Sequence, residues 1–600
     1  MRKTFTTFLL SLVALTVVAV PARRGQWKQI TLVDGSTVKA QLVGDEHGHF
    51  WKTTDGRAFV EDVGQACFVP IDQHEALRQA GQRRAAANKR RTQMHKNISV
   101  PTQPITGKKK GLMILVQFNG ETFEEGANAN QWYTDMMNKE GFSATLKSDL
   151  GYSMLFTASV RDYFMAVSDG QLDLDFDVVG PVQLKNAVSY YGKNYNNIQA
   201  QDQRPEYMVK EACDAADELV NFADYDWNGD GEVEQVVIIY SGLGENAGGD
   251  ANTIWAHEYW ISYTGLNNYK PLEYDGMKVD TYACSPEKTG VYSETFRAGI
   301  GILCHEFSHC LGLPDMYDTG SEGNYGMYSF SIMDQGSYNG ISGPGYNPAE
   351  YTAYERMYAG WRQPIELTEN TEVSNLKPIS KGGDTYIIYN DANRNEYFLL
   401  ENRQHAQEIV QSWSDVKNYV GYFDIGLEGD GLLVTHVDFD PYMWVNNLVN
   451  TTGAVQGASD LKQNDHPRCQ IVPADGSFYL AEGYDYYDSV DGDCFPYVNN
   501  VGVTMVNSLT DDFQPAQTWF NTNAQGDNKL HFALTDIKQN KDLTVSFKFS
   551  KEKVEDAVKT VTREQKADNR YYDLSGRQIV NGQPVSKGIY IRGGKKFVVK

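Results

Sequence analysis

The eleven residues HEFSHCLGLPD, from His305 to Asp315, constrain the fold of this chain more tightly than any other stretch. Residues four apart lie on one face of an α-helix, so a helix here would bring His305 and His309 side by side. Gly312 suits the left-handed residue that ends many helices, and Pro314 cannot continue one. The pattern therefore predicts a helix that ends near Gly312 and a chain that turns back, which can return Asp315 to the two histidines.

The same stretch carries the side chains of a catalytic metal site. Two histidines and one carboxylate leave the fourth position of a tetrahedral zinc ion open, which is the arrangement of catalytic zinc. Glu306 directly follows the first histidine, so it flanks the metal and can serve as general base to a zinc-bound water. We predict His305, His309 and Asp315 as zinc ligands and Glu306 as the catalytic residue. The alternative is a core helix whose histidines are hydrogen-bonded.

The histidine motif is accompanied by further segments that resemble a known family. HEFSHCLGLPDMYD, SIMDQGSYNG and PAEYTAYERMYAGW resemble the immune inhibitor A-like zinc metallopeptidases, secreted bacterial enzymes of the metzincin type. The resemblance covers about residues 107–480. It implies that Asp315 replaces a third histidine as zinc ligand, that Glu306 is the catalytic acid/base and that Met333 forms a Met-turn under the site. An ordinary core methionine is the alternative for Met333.

One feature departs from the astacin-like metzincins, which carry a tyrosine two residues after the methionine. That position is Gln335 in this chain. The group that stabilises the oxyanion must therefore come from elsewhere, and Tyr338 is a candidate.

The N-terminus predicts export. Arg2 and Lys3 precede an apolar run, and the small residues Val20 and Ala22 flank Pro21, so we expect a signal peptide that is cleaved after Ala22. A membrane anchor is the alternative, and no transmembrane segment is expected further along the chain. The net charge of -24 argues against nucleic-acid binding. We expect a secreted protein, or one at the cell surface of a Gram-negative bacterium.

The pattern of strands, helices and turns predicts an α+β fold in five parts. A metzincin-like zinc peptidase domain is preceded by a small β-rich pro-segment and followed by a β-rich domain and a small C-terminal β module. The parts are a signal peptide (1–22), the pro-segment with a basic linker (23–106), the catalytic domain (107–365), the β-rich domain (366–550) and a linker with the C-terminal module (551–600). Within the catalytic domain we expect a core strand at 111–118 and a helix from Pro348 to about Gly360.

The C-terminal tail, YYDLSGRQIV followed by KGIYIRGGKKFVVK, resembles the sorting domain of type-nine secretion substrates. The resemblance implies that the secretion machinery is a partner of this tail. A plain β cap is the alternative.

The basic linker of the pro-segment suggests a zymogen. A charged connector between a small domain and an enzyme is a place for proteolytic activation, although a solvated helix that is never cut is the alternative. Cys67 could block the metal as a fourth ligand, but an ordinary buried cysteine is the simpler interpretation. The candidate cleavage points are Arg83, Arg84, Arg90 and Arg91.

The stretch DYDWNGDGEVE resembles the start of an EF-hand loop. It offers oxygen ligands at loop positions 1, 3, 5 and 9, but position 12 is Val237, which excludes a full EF-hand. We expect a Ca²⁺ loop of another kind, with an acidic turn as the alternative. The candidate calcium ligands are Asp226, Asn228, Asp230 and Glu234.

Two further groups of side chains leave alternatives open. Cys469 and Cys494 are the most plausible disulfide pair, because export permits disulfides. Three polar residues of the β-rich domain could form a second metal site. The alternative is that they are hydrogen-bonded polar residues near a domain interface. The three residues are Glu401, His436 and Asp438.

These observations predict a secreted zinc-dependent endopeptidase that acts on protein or peptide substrates. Zn²⁺ is the expected cofactor, with Ca²⁺ as a second ion, and Glu306 assists the attack of zinc-bound water on the peptide bond. The alternative is a catalytically inactive surface adhesin or binding protein built on a peptidase fold.

Overall fold

A computed structural model of the 600-residue chain divides into two compact units, Met1–Lys551 and Glu552–Lys600. No helix among the residues that the structure describes is long and apolar enough to cross a membrane. The described residues are 20–23, 27–94, 104–147, 151, 153–195, 201–291, 294–319, 326–340, 345–405, 429–453, 462–477, 492–498, 505–551, 571–573, 579, 587–592 and 595–599.

The fold is mixed α/β, with many strands and few helices. The α-helices, in chain order, are α1 Gln73–Met94, α2 Ala129–Asn138, α3 Val160–Val167, α4 Val188–Tyr191, α5 Pro205–Ala216, α6 Gly301–Cys310, α7 Ala353–Tyr358 and α8 Pro441–Val445. The strands up to the end of the predicted catalytic domain are β1 Trp27–Thr31, β2 Thr37–Asp45, β3 Gly48–Thr53, β4 Ala58–Asp62, β5 Cys67–Ile71, β6 Gly107–Gln117, β7 Ser143–Lys147, β8 Ser153–Thr157, β9 Leu172–Gln183, β10 Glu232–Val233, β11 Val236–Leu243, β12 His257–Trp260, β13 Leu272–Tyr274, β14 Met277–Val279, β15 Thr281–Val291, β16 Glu294–Arg297 and β17 Ile365–Glu366. The later strands are β18 Thr371–Leu376, β19 Tyr386–Asn390, β20 Asn393–Arg403, β21 Gly431–Asp438, β22 Cys469–Ile471, β23 Tyr497–Val498, β24 Met505–Val506, β25 Phe532–Gln539, β26 Val545–Lys551, β27 Tyr571–Asp573, β28 Gly588–Arg592 and β29 Lys595–Val599.

A central sheet organises the predicted catalytic domain, with strand order β12-β15-β11-β6-β9. The four strands from β15 to β9 are parallel, and the edge strand β12 runs antiparallel to β15. Parallel strands are covered on both faces and therefore consist of continuous apolar runs, as residues 112–116 and 236–240 do. The core strand predicted at 111–118 is confirmed as β6.

The two faces of this sheet belong to different cores, because successive side chains of a strand point to opposite sides. Met113 and Leu115 pack in a core that includes Phe307 of α6. Ile114 and Val116 pack in a second core, which α5 covers. The helix that carries the histidine motif thus rests directly on the sheet.

The ends of α6 follow from its sequence. A Cβ atom at Gly301, its first residue, would collide with the carbonyl oxygen of Ser337, so only glycine allows the helix to start this close to the neighbouring turn. Gly312 has a φ of 94°, in the left-handed region. The predicted helix end near Gly312 is therefore confirmed.

The predicted helix start at Pro348 is wrong. The helix begins at Ala353, and Thr352 and Glu355 form a capping box in which each side chain accepts a hydrogen bond from the backbone N–H of the other residue. The capping box pairs backbone N–H groups at the start of the helix that a proline cannot pair, which explains why the helix begins after Thr352.

The basic stretch predicted as an exposed connector is the helix α1. Its Arg83 is buried, and the guanidinium of this residue donates to the carbonyl of His47.

The β-rich segment contains a five-stranded sheet, β17-β19-β20-β21-β22, and a three-stranded sheet, β18-β26-β25. These sheets enclose a core of their own. However, Leu433 of β21 and Ile471 of β22 belong to the same core as Leu313 and Met316, which follow α6. The segment after residue 366 therefore contributes to the packing around the histidine motif.

The remaining strands form smaller sheets. The five strands β1 to β5 form an antiparallel meander in chain order, and β27, β28 and β29 form an antiparallel sheet within the second unit. All seven cysteines lie among the described residues, and none is disulfide-bonded. The expected pair of Cys469 and Cys494 is therefore not formed in this structure, where both thiols are buried.

Candidate metal centre

Two imidazole rings face each other on α6. The Nε2 atoms of His305 and His309 lie 3.2 Å apart. The Nδ1 atom of His305 lies 2.7 Å from the carbonyl oxygen of Ile332, and that of His309 lies 2.8 Å from the carbonyl oxygen of Leu313. A carbonyl only accepts hydrogen bonds, so each Nδ1 carries a proton, and in the neutral imidazole each Nε2 then presents a lone pair. Two lone pairs at this distance repel each other unless a cation lies between them.

The carboxylate of Asp315 completes this arrangement. Its Oδ1 lies 3.3 Å from Nε2 of His305 and 3.4 Å from Nε2 of His309, in a fully buried position. Within the described part of the chain, this oxygen has no hydrogen-bond partner. The three residues also form the one group of three His, Cys, Asp or Glu residues, among those described, whose ligand atoms all lie within 4.8 Å. Two imidazole nitrogens and a carboxylate oxygen fit a zinc ion.

Glu306 lies beside the triad. Burial raises the pKa of its carboxyl group well above the usual value, and the nearby carboxylate of Asp315 adds to the shift. Its Oε1 accepts a hydrogen bond of 2.9 Å from the backbone N–H of Val20, and its Oε2 has no hydrogen-bond partner among the described residues. A carboxyl group beside a metal-bound water can take up a proton and release it again during the reaction.

The predicted Met-turn lies against both parts of the motif. Met333 is fully buried, and its carbonyl accepts a hydrogen bond of 2.8 Å from the N–H of Met316. The preceding residue, Ile332, provides the carbonyl that holds His305. The turn therefore holds one predicted ligand, His305, directly and the segment after Asp315 through the backbone.

Asn447 lies beside the candidate metal centre, and nothing in the sequence indicated this neighbour. Its Oδ1 accepts a hydrogen bond of 2.7 Å from the N–H of Asp315, and its Nδ2 donates to Oδ2 of the same residue at 2.5 Å. The two residues are 132 positions apart. The φ of 52° at Asn447 is typical of asparagine in a turn, but this local signal carries no information about a contact so distant in sequence.

A short stretch near the N-terminus covers the site. Besides the contact with Glu306, the carbonyl of Val20 accepts a hydrogen bond of 3.2 Å from Nε1 of Trp255. The carbonyl of Pro21 accepts one of 2.7 Å from the hydroxyl of Tyr338. The N–H of Ala22 donates to the carbonyl of Gly44 in β2 at 2.9 Å. Residues 20–22 are buried, so they cover the side chain of Glu306 in this structure.

The predicted calcium loop is closed by its own backbone. The carboxylate of Asp226 accepts hydrogen bonds from the N–H groups of Gly231, Gly229 and Asp230, and these bonds lower its pKa. Glu234 accepts from the N–H of Trp227, and burial raises its pKa to about 7. Asn228 accepts at 2.8 Å from the N–H of Asp230. The side-chain oxygens therefore stabilise a turn, and Ca²⁺ binding by them stays a prediction.

The other candidate groups have partners outside their predicted sets. Glu401 pairs with Arg403 at 3.2 Å, and His436 pairs with Glu396 at 3.0 Å. Asp438 pairs with Arg468 at 2.6 Å. These contacts correspond to the alternative in which the three residues are polar groups with satisfied hydrogen bonds.

Cys67 is buried in β5 beside β4, which fits an ordinary core cysteine. The predicted cleavage points Arg84, Arg90 and Arg91 lie in α1, but their side chains are outside the described residues.

Comparisons with known proteins match this part of the chain. Residues 100–363 match the family model of the immune inhibitor A peptidase M6 catalytic domain. The pre-pro-metalloprotease PrtV of Vibrio cholerae serotype O1 is 30% identical over 222 residues, which cover 33% of this chain and 23% of the relative. Immune inhibitor A of Bacillus thuringiensis subsp. alesti is 25% identical over 317 residues, which cover 45% of this chain and 44% of the relative. The chain thus spans less than half the length of either relative. These matches identify a peptidase M6 (immune inhibitor A) domain in residues 100–363, homologous to the two relatives over the aligned part.

Proposed function

We propose that this protein is a secreted zinc-dependent endopeptidase that hydrolyses peptide bonds of proteins. The proposal rests on one observation above all: two Nε2 lone pairs and the Oδ1 of Asp315 converge in a buried position beside Glu306. One relative is a pre-pro-metalloprotease, which supports the same activity. The helix α6, which carries the histidine motif, and the turn at Met333 also agree with the metzincin signature.

His305, His309 and Asp315 would hold the metal. A bound zinc ion would supply Lewis acidity toward the scissile carbonyl and lower the pKa of a water molecule. Because one ligand is a carboxylate, the net charge of the site would be +1 instead of +2. More of the proton transfer therefore falls to a protein side chain than in a site with three histidines.

Glu306 is the group that can carry this proton. Its carboxylate would take the proton from the attacking water and deliver it to the leaving amine. The burial that raises the pKa of this carboxyl group also makes the carboxylate a better base.

Tyr338 is the residue that we assign to the substrate carbonyl. Its hydroxyl donates to the carbonyl of Pro21 at 2.7 Å, so it already binds a peptide carbonyl next to Glu306. Burial raises the pKa of this hydroxyl, which therefore stays protonated and remains a donor. A donor in this position can stabilise the oxyanion that develops during attack on the peptide bond.

The stretch that covers Glu306 blocks this carboxylate in the uncleaved chain. A substrate cannot reach the carboxylate while Val20 donates to it, so the contact has to be lost before the enzyme acts. Cleavage of the signal peptide after Ala22 would itself remove Val20 and Pro21. A cut before Val20 would leave both in place and require a second activating event. N-terminal sequencing of the secreted protein distinguishes the two routes.

The activity is tested by digestion of casein with and without a zinc chelator. We expect cleavage that the chelator abolishes and that added zinc restores. A secreted, zinc-loaded protein whose N-terminal sequence shows that Val20 and Pro21 are gone, and that still leaves casein and other unfolded proteins intact, would contradict the proposal and favour the inactive surface adhesin.

A further inference from the structure

We propose that Asn447 is a positioning residue of the metal centre, which orients the carboxylate of Asp315 toward His305 and His309. The inference rests on the proposed metal site and extends it beyond residues 100–363, the part of the chain that matches the peptidase family.

Two hydrogen bonds join the residues in a closed ring. Asp315 donates its backbone N–H to the side chain of Asn447, and that side chain donates back to Oδ2 of the carboxylate. With Oδ2 engaged in this way, Oδ1 is the oxygen that faces the two Nε2 atoms. Asp315 is 1% exposed and Asn447 is 2% exposed, so water cannot easily replace the lost partner if Asn447 is removed.

The segment around Asn447 is attached to the chain that follows Asp315 by further hydrogen bonds. The carbonyl of Asn447 accepts from Oγ1 of Thr319 at 2.8 Å, and Oγ1 of Thr451 accepts from the N–H of Thr319 at 3.0 Å. Asn450 donates to the carbonyl of Met316 at 2.6 Å. Asn447 therefore has a fixed backbone from which to hold the carboxylate.

Packing fixes the same segment from the other side. Trp444 of α8 is 1% exposed and lies with its ring 5.9 Å from that of Tyr354 in α7. Met443, Leu448 and Leu313 belong to the same core. Residues that orient metal ligands typically change metal affinity or activity by about 10- to 100-fold when they are replaced.

The test compares Asn447→Gly with the control Thr451→Val in the full chain. Glycine adopts positive φ without strain, so the first change removes the side chain at little backbone cost. The second change removes the hydrogen bonds of Thr451 to the N–H and the hydroxyl of Thr319, which join the same two segments, but none to a metal ligand. The measurements are zinc affinity by competition with a chelator, the absorption spectrum of the Co²⁺-substituted protein and the unfolding temperature without metal.

We expect Asn447→Gly to bind zinc about 10- to 100-fold more weakly and to shift the Co²⁺ spectrum. Thr451→Val is expected to keep the wild-type affinity and spectrum. The inference would be overturned by a wild-type affinity and spectrum in Asn447→Gly, or by an equal loss in both variants, which would indicate a general effect of segment docking. Wild-type protein that binds neither metal would contradict the proposed function itself, and this inference with it.

If Asn447→Gly fails to fold without metal, the metal-free unfolding temperature reveals this. Asn447→Asp then serves as the second variant, because aspartate also tolerates a positive φ and can still accept from the N–H of Asp315. Once it is ionised, this aspartate cannot donate to the carboxylate, so we again expect a shifted Co²⁺ spectrum above the pH at which residue 447 loses its proton. An unchanged spectrum of the ionised Asn447→Asp protein would overturn the inference.

Discussion

His305 and His309 acquire their orientation from main-chain carbonyl groups. Ile332 and Leu313 accept the Nδ1 protons, which fixes both rings and leaves both Nε2 atoms as acceptors. Since backbone positions change little when side chains are substituted, the tautomer of each ring is a property of the fold. The chemistry at the centre then depends on the few side chains that are not held in this way.

Glu306 is the first of these side chains. We expect Glu306→Gln to keep its zinc, because residue 306 is not a ligand, and to lose at least about 100-fold in kcat for peptide hydrolysis, since glutamine cannot accept the proton. Zinc content by atomic absorption and initial rates on a fluorogenic peptide are the measurements. Undiminished hydrolysis by the zinc-loaded variant would show that another group moves the proton.

Tyr338 is the second. We expect Tyr338→Phe to lower kcat by about 100- to 1,000-fold with a smaller change in KM, because the hydroxyl acts on charge that develops during the reaction. Tyr346→Phe is the matched control, since Tyr346 is also buried and its hydroxyl donates to the carbonyl of Arg297. Equal rates in the Tyr338 variant and this control would exclude Tyr338 as the carbonyl donor.

At this scale, sequence spacing predicted which residues the structure brings together around the histidines. The i and i+4 positions and the break at Gly312 are local signals, so His305, His309 and Asp315 could be grouped before any fold was known. Asn447 could not, because nothing within its own turn indicates a partner 132 residues away.

Among the secondary-structure elements, the helices show where local signals compete. The end of α6 was predictable because Gly312 and Pro314 both oppose further helix. The start of α7 was not predictable, because Pro348 and Thr352 are both residues that commonly mark the start of a helix. The second one sets the boundary, and Glu355 of its capping box also accepts a hydrogen bond of 2.5 Å from Ser331, near the Met-turn.

The turn between Asp226 and Glu234 is an element whose predicted ion can be tested directly. We expect calorimetry to detect Ca²⁺ binding by the wild-type protein and to find it lost in Asp226→Ala and Asp230→Ala, because each change removes a carboxylate ligand. Asp214→Ala is the control, as this half-exposed residue pairs with Lys210 on α5. Unchanged Ca²⁺ binding in the first two variants would show that this loop is not the calcium site and would favour the acidic turn.

On the scale of the whole molecule, the second unit can be separated from the first in an experiment. We expect deletion of Glu552–Lys600 to leave zinc content and unfolding temperature unchanged, because the first unit is compact by itself. If the tail is a sorting module, as its resemblance implies, the truncated protein stays inside the cell. Normal export of the truncated protein would leave the plain β cap as the better interpretation.

The arrangement of the five predicted parts was only partly accessible from sequence. Alternating apolar patterns indicated many strands and few helices, and the described residues have that composition. The patterns could not reveal that Leu433 and Ile471 pack with Leu313, since such packing depends on tertiary contacts between distant segments. The proposed boundary at residue 366 stays a prediction.

This shared core also determines how small a working recombinant protein can be. A fragment that stops at residue 363, where the family match ends, would lose apolar side chains of the core that also contains Leu313, Met316 and Met333. Newly exposed apolar surface of this kind promotes aggregation. Expression trials should therefore begin with a chain that extends to Lys551, even when only the peptidase chemistry is wanted.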